Sequence, residues 1–398
     1  MTVKSLTKTS LAVSGLILFL FLTATSVFAD CPNQVKPAGD DPLQMLVIGD
    51  SIMWGQGLKD EEKFSSRVKC WLQEKTDREV RLHVEAHSGA VLSGAARAQP
   101  AFTSTDGEVN LTSPTINEQL DHAVTFYQQN QPSPALILMN GCINDIGVKN
   151  LLAASTPLEN LRAQARQNCG DKMQLLLQRV RNSFPEAQIL VTSYYPIVSS
   201  LTADNAFLRL LVKKLNNQRS EARHMTDKEM RERLIAISDE WYRTSTASLA
   251  DAVIKTNRGG PSSPKVMFAE IQFGPEHLFA APETLLWTFL FTSTKVSGFA
   301  KVVVLLSFGT AAYKANDHVR ESRIRSCEET FMKPKGIKED KKVKEDREDL
   351  LLTCRYASLG HPNNMGALVY AEAIKGQLLQ FIDKAGWKRD TNSRLSLP

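Results

Sequence analysis

Leu43-Gln44-Met45-Leu46-Val47-Ile48-Gly49-Asp50-Ser51-Ile52 opens with a short apolar run that stops at a Gly-Asp-Ser turn. Six residues are too few for a buried helix, and the lack of strict alternation means that both faces are covered, so the run reads as an interior strand of a parallel sheet. Working outward, Glu61 to Lys75 has the spacing of an amphipathic helix and Val80 to Ala86 alternates as a second strand. Thr115 to Gln129 is helical in pattern, and Ala135 to Met139 is a third apolar run that ends at Asn140-Gly141. Lys172 to Ser183 makes another helix, and Gln188 to Ser193 makes a fourth strand closed by Tyr194-Tyr195-Pro196. Ala206 to Glu221 and Asp227 to Leu249 also read as helices. Strands alternating with helices in this way predict an α/β protein with a mainly parallel sheet covered on both faces.

The composition agrees with a globular chain: 398 residues, 42% apolar and 23% charged, with 17 prolines. The formal net charge of +5 is diffuse, so no nucleic acid partner is expected. Lys4 and Lys8 precede the apolar stretch Leu11 to Leu22, and Val27-Phe28-Ala29 has the small-x-small form of a cleavage site. Residues 1–29 therefore read as a signal peptide, and a secreted or periplasmic chain would begin near Asp30. All six cysteines (Cys31, Cys70, Cys142, Cys169, Cys327 and Cys354) follow that site, and an even count in an exported chain points to disulfides. Six cysteines allow about fifteen pairings, and spacing alone does not choose among them.

Open α/β sheets hold ligands beyond the carboxyl ends of their strands, so the residues there carry the chemistry. Gly49-Asp50-Ser51 would lift the Ser51 hydroxyl clear of the sheet edge, with its backbone amide at a helix start. In Ser88-Gly89-Ala90 the glycine lets the backbone approach a ligand, and in Cys142-Ile143-Asn144-Asp145 the Asn144 amide could donate into the same crevice. Near the C-terminus Gly360-His361-Pro362-Asn363 precedes an apolar helix from Met365 to Phe381.

In this order these residues resemble the SGNH, or GDSL-like, hydrolase family over about Met45 to Ser200 and again over Tyr356 to Phe381. The resemblance implies a flavodoxin-like three-layer α/β/α sandwich and ester hydrolysis through an acyl-serine. It implies Ser51 as nucleophile, His361 as its base, and the Ser51 amide, the Gly89 amide and the Asn144 side chain as the oxyanion hole. The domain reading follows: signal peptide 1–29, hydrolase core 30–254, a long insertion 255–350 that would serve as lid or interfacial segment, and a C-terminal part 351–398 that returns His361 to the core.

Two positions depart from the family. Its usual acid three residues before the histidine is here Ser358, so a main-chain carbonyl or a distant carboxylate would have to take the His361 N–H. Cys142 stands where the family more often has glycine; one pairing among those open, Cys142 with Cys169, would brace the oxyanion loop. A serine hydroxyl needs a base with a pKa near 7, which imidazole supplies, and charge developing on an ester oxygen needs fixed donors. No metal and no cofactor is expected. Asp50 reads as a brace of the turn, Trp54, Tyr194 and Tyr195 as packing or rim aromatics, and His87 as a residue near the pocket.

The substrate class implied is an acyl ester of a small molecule or lipid, with acetylated glycan as the enzymatic alternative and a glycan- or lipid-binding module without turnover as the non-enzymatic one. The apolar runs Leu285 to Phe291 and Val302 to Phe308 would either pack on the core or touch a membrane surface through 285–308. Lys333 to Glu348 reads as a solvated helix face.

Overall fold

β1 (Leu43–Ile48) is buried at every position, as its unbroken apolar run requires. The structure is a computed structural model and describes residues 41–94, 107–130, 132–204, 224–258, 265–290, 314–332, 339–383 and 386–387. The expected signal peptide, Cys31, the Ala206–Glu221 helix and the Val302–Phe308 run lie outside the described residues.

After β1 come α1 (Ser51–Trp54), a 3-10 turn at Asp60–Glu62, α2 (Phe64–Thr76), β2 (Val80–Val84), α3 (Ile116–Asn130) and β3 (Leu136–Met139). The helix expected over Glu61 to Lys75 is thus broken, because Lys63 is extended (φ −61°, ψ 138°) and caps α2 instead of continuing the turn before it. Next follow α4 (Ile143–Ile146), α5 (Val148–Leu151), α6 (Leu158–Ala165), a π-helical stretch at Arg166–Lys172, α7 (Met173–Ser183) and β4 (Gln188–Thr192). α8 (Asp227–Asn257) is 31 residues long; it opens on a capping box between Thr226 and Glu229 and runs a further two turns beyond its expected end at Leu249. β5 (Val266–Ala269), β6 (Phe289–Leu290), β7 (Lys314–Ala315), α9 (Arg320–Thr330), α10 (Lys341–Arg355) and α11 (Asn364–Leu379) complete the order.

β1 to β5 form one parallel sheet in the order β2-β1-β3-β4-β5, with Leu46 flanked by His83 on one side and Ile137 on the other. That is the flavodoxin-like order. Parallel crossovers are right-handed, so the step from β1 out to β2 puts α2 on one face, while the steps toward β3, β4 and β5 put α3, α7 and α8 on the other. The contacts follow this rule: α3 meets α7 and α7 meets α8, whereas α11 returns to pack beside α2. Phe64 of α2 stacks on Tyr370 of α11 with ring centroids 5.1 Å apart. The protein is a three-layer α/β/α sandwich.

β5 comes from residues read in the sequence as insertion, and it closes the sheet on β4. Leu286, Trp287 and Phe289 are buried, so the described part of the first apolar run packs on the core. β6 pairs antiparallel with β7, which leads into α9. A smaller core of Val109, Leu111, Cys327, Phe331 and Cys354 lies where α9 and α10 meet, pinned by the Cys327–Cys354 disulfide. α10 keeps Lys341 to Asp346 exposed, as its mixed charges require. Among the described residues no helix is long and apolar enough to cross a membrane.

Candidate active site

Strand order reverses at β1, because the chain leaves it for β2 on one side and later fills β3 on the other. Beyond the carboxyl ends of β1 and β3 the crossovers diverge, and the crevice left there is where such sheets take ligands. The three expected motifs follow neighbouring strands at this end of the sheet: Ser51 comes after β1, Gly89 after β2 and Asn144 after β3.

The first turn is built around Gly49. Its φ is +147°, and a side chain there would meet Asn140 and come within 2.6 Å of the Met53 Cγ, so only glycine fits. The Gln119 side chain clamps this residue from both ends, accepting from the Gly49 N–H at 2.8 Å and donating to its carbonyl at 3.0 Å. Asp50 caps α1 by accepting from the Ile52 N–H at 2.9 Å. Ser51 then stands at the first position of α1, its amide at the helix start, and no acceptor for that amide lies among the described residues.

Asp50 is fully buried and is the brace the sequence suggested. Its carboxylate takes the Tyr194 hydroxyl at 2.6 Å and the Asn140 side-chain N–H at 3.2 Å. Burial pushes the Asp50 carboxyl above its ordinary range, while the bonds from Tyr194, Ile52 and Asn140 pull the other way. Tyr194 is not a rim aromatic. Its hydroxyl also accepts from the Ile143 N–H at 3.3 Å, so it joins the Ser51 turn to the Asn144 turn.

Gly89 has φ +82°, and a Cβ there would lie 2.6 Å from the Leu111 carbonyl oxygen. Its amide, like that of Ser51, meets no acceptor among the described residues. The Asn144 side chain donates to the Ala90 carbonyl at 3.0 Å, and the half-buried Asp145 accepts from the Leu92 N–H at 3.0 Å. Asn144 is thereby held against the Gly89 loop with a second side-chain N–H in hand. The Cys142–Cys169 disulfide bonds this turn to the π-helical stretch, with Cα atoms 5.2 Å apart and both residues fully buried. Cys70 is disulfide-bonded as well.

His361 reaches Ser51 from the far end of the chain, its Nε2 2.7 Å from the Ser51 Oγ. For the serine to donate, the ring proton must sit on Nδ1. The turn carrying His361 is held peptide by peptide. The Gly360 N–H donates to the Trp287 carbonyl, the Trp287 N–H to the His361 carbonyl, and the Asn363 N–H to the Leu285 carbonyl, each within 2.9 Å. The Tyr195 hydroxyl adds a bond of 2.8 Å to the Gly360 carbonyl.

Nδ1 itself has no well-aligned acceptor. Burial lowers the His361 pKa to about 4; the carbonyls of Leu359 and Ser358 work against this, Arg323 works with it, and Asp317 against it. His87 is buried with Nδ1 2.9 Å from the Ser88 carbonyl.

Sequence reasoning missed the polar cluster behind the histidine. Ser358 is fully buried and its hydroxyl donates to the Asp317 Oδ2 at 2.7 Å. Arg323, also fully buried, grips both oxygens of Asp317 at 2.7 Å and reaches the Glu108 Oε2 at 3.4 Å. Glu108 in turn accepts from the Trp54 Nε1 at 2.9 Å, which is why Trp54 faces inward. Burial pushes the Glu108 carboxyl up and Arg323 pulls it down. Nothing local in the sequence marks Asp317, Arg323 or Glu108, because Arg323 sits in the charged, non-amphipathic stretch Arg320–Thr330 and Glu108 lies far away along the chain. No group of three or more His, Cys, Asp or Glu side chains that could hold a metal ion occurs among the described residues.

No protein-family model and no curated protein matches the sequence. Among solved structures, the chain is similar to a lipase from a goat rumen metagenome (17% identity, 59% of this chain and 86% of that one, TM-score 0.34). It is also similar to an extracellular lipase from Streptomyces rimosus (14% identity, 62% and 88%, TM-score 0.37). A third likeness is to a carbohydrate esterase family 2 enzyme with a carbohydrate binding domain from Corynascus thermopiles (Myceliophthora fergusii), at 17% identity over 60% of this chain and 59% of that one, TM-score 0.31. With all three scores below one half, the reading of the site rests on its own geometry.

Proposed function

We propose that this protein is an exported serine ester hydrolase of SGNH type acting on acyl esters. The contact that carries the reading is the 2.7 Å approach of the His361 Nε2 to the Ser51 Oγ at the sheet's topological switch point. Neutral His361 removes the Ser51 proton as the Oγ attacks the ester carbonyl carbon. Charge that collects on the carbonyl oxygen is met by the amides of Ser51 and Gly89 and the Asn144 side chain. The tetrahedral adduct expels the alcohol, which takes the proton from His361, and leaves an acyl-serine. Water, deprotonated by the same ring, releases the acid and restores Ser51.

A binding module without turnover would have no use for a histidine aimed at a serine hydroxyl. Export is supported by the disulfides, which persist in oxidising compartments. N-terminal sequencing of the mature chain is expected to begin near Asp30.

The test of the chemistry is a fluorophosphonate that labels Ser51 in the wild type and not in Ser51→Ala, with turnover followed on p-nitrophenyl esters of graded chain length and on acetylated xylan. Ser51→Ala and His361→Ala are each expected to cut kcat by about a thousandfold or more, without adding in the double variant. Asn144→Ala is expected to cost about 100-fold and leave measurable activity. Wild-type turnover in Ser51→Ala would overturn the mechanism, and activity confined to acetylated xylan would move the substrate to glycan acetyl esters.

A further inference from the structure

The place three residues before the histidine holds a serine, and the structure shows where the missing negative charge lies. Ser358 donates its hydroxyl to the Asp317 Oδ2 at 2.7 Å. Both side chains are shut off from solvent. Asp317 is held in turn by the two-pronged Arg323, so neither can turn aside without leaving a buried charge unpaired. At the other end of Ser358, the backbone carbonyl accepts the His361 N–H at 3.0 Å. One residue therefore joins a fixed carboxylate to the turn that presents the ring.

We infer that Asp317 is a positioning residue that does the work of a triad acid at one remove: through Ser358 it fixes the turn that aims His361 at Ser51, and its charge offsets that of the Arg323 it binds. The inference rests on the serine hydrolase reading. The charged and titratable groups facing the cluster are few. Glu108 lies across Arg323, and Lys63 sits over the Trp54 ring at 3.6 Å while pairing with Asp60. His318 is bonded to Glu62, and Arg355 offers its backbone carbonyl to Arg323 at 3.5 Å. Arg323 and Asp317 act on the His361 ring by charge in opposite senses.

Two variants separate the charge from the hydrogen bond. Asp317→Asn keeps the shape and an acceptor for Ser358 but removes the charge, while Ser358→Ala keeps the charge and removes the link. Asp317→Asn is expected to lower kcat about tenfold with KM within about twofold, and to move the acid limb of kcat/KM to lower pH, because the Arg323 charge is then uncompensated near the ring. Ser358→Ala is expected to lower kcat several-fold with the acid limb unmoved. A merely structural role would lower yield and melting temperature in both and shift neither limb.

The inference is overturned if folded Asp317→Asn has wild-type kcat and acid limb. If Asp317→Asn does not fold, Ser358→Ala decides: kcat within about twofold of wild type overturns the inference, and a larger loss at unchanged KM supports it. Fluorophosphonate labelling of the wild type keeps the two readings apart. Without labelling at Ser51 the serine mechanism fails; with labelling and unimpaired variants only the role of Asp317 fails.

Discussion

His361 carries the sharpest consequence at the scale of single residues. Its ordinary pKa is near 6.5 and burial brings it to about 4, so the ring stays neutral and able to accept the serine proton through the mildly acidic range. The acid limb of kcat/KM is therefore expected near 4, and a limb near 6.5 would mean that the ring is solvated in the free protein. The same shift has a cost in stability. A base whose pKa is depressed by folding contributes stability fully above about 6.5, and that contribution is lost as pH falls toward 4, so acid unfolding should begin earlier in wild type than in His361→Gln. Ser358 supplies a second consequence. A vacant triad position would welcome a carboxylate, but Ser358 already lies 2.7 Å from the Asp317 Oδ2. Ser358→Asp would set a third buried carboxylate beside Asp317 and Glu108 against one arginine, and it is expected to lose at least about tenfold in kcat rather than gain. Activity at or above the wild-type level would show that the new side chain turns to the Nδ1 of His361 instead.

At the scale of elements, the strands were legible because a buried parallel strand writes itself as a continuous apolar run: β1, β3 and β4 agree with their expected bounds to within a residue. α6 was not, since Leu158–Ala165 merges through the π-helical stretch into α7 and leaves no turn residue to mark its C-terminal end. β5 was hidden for a different reason. Val266–Ala269 is only four residues long and follows a Gly-Pro-Ser loop, which reads as the start of an insertion rather than the edge of a sheet. The Asn144 turn shows how a strained backbone can be held. Cys142 sits at φ 115°, a conformation that favours glycine, and its bond to Cys169 ties that conformation to the helix beneath. The bond closes a loop with a sequence separation of 27, for which chain entropy gives about 3.5 kcal/mol. The double variant Cys142→Gly, Cys169→Ala is expected to lose about that much in denaturant unfolding and to lose kcat beyond what stability explains. Retention of full kcat would mean that Asn144 is positioned by the hydrogen bonds of its turn, to the Ala90 carbonyl, Leu92 and Tyr194, without the disulfide.

Across the whole molecule, the sheet was readable from local pattern while the support of the histidine was not, because it depends on segments far apart in the chain. Glu108 precedes α3, Asp317 precedes α9, Ser358 follows α10, and the Arg323 side chain meets the first two and reaches toward the last through Asp317. Residues 284–290 and 314–323, which the sequence marked as insertion, are thus part of the frame of the site. Two carboxylates around one guanidinium in a dry interior make Arg323 the point on which these segments depend. Arg323→Met would leave Glu108 and Asp317 buried without their counter-charge, and the expected loss is about 3–5 kcal/mol, read as a lower denaturation midpoint at unchanged slope. The exposed pair of Arg179 with Asp121, 2.7 Å apart, is the control, since in water such a contact is worth less than about 1 kcal/mol. If Arg323→Met and Arg179→Met cost the same, the interior cluster is hydrated and the burial argument fails. A large loss for Arg323→Met alone, partly recovered by adding Asp317→Asn and Glu108→Gln, would mean that the frame around His361 is held by neutralised charge rather than by packing.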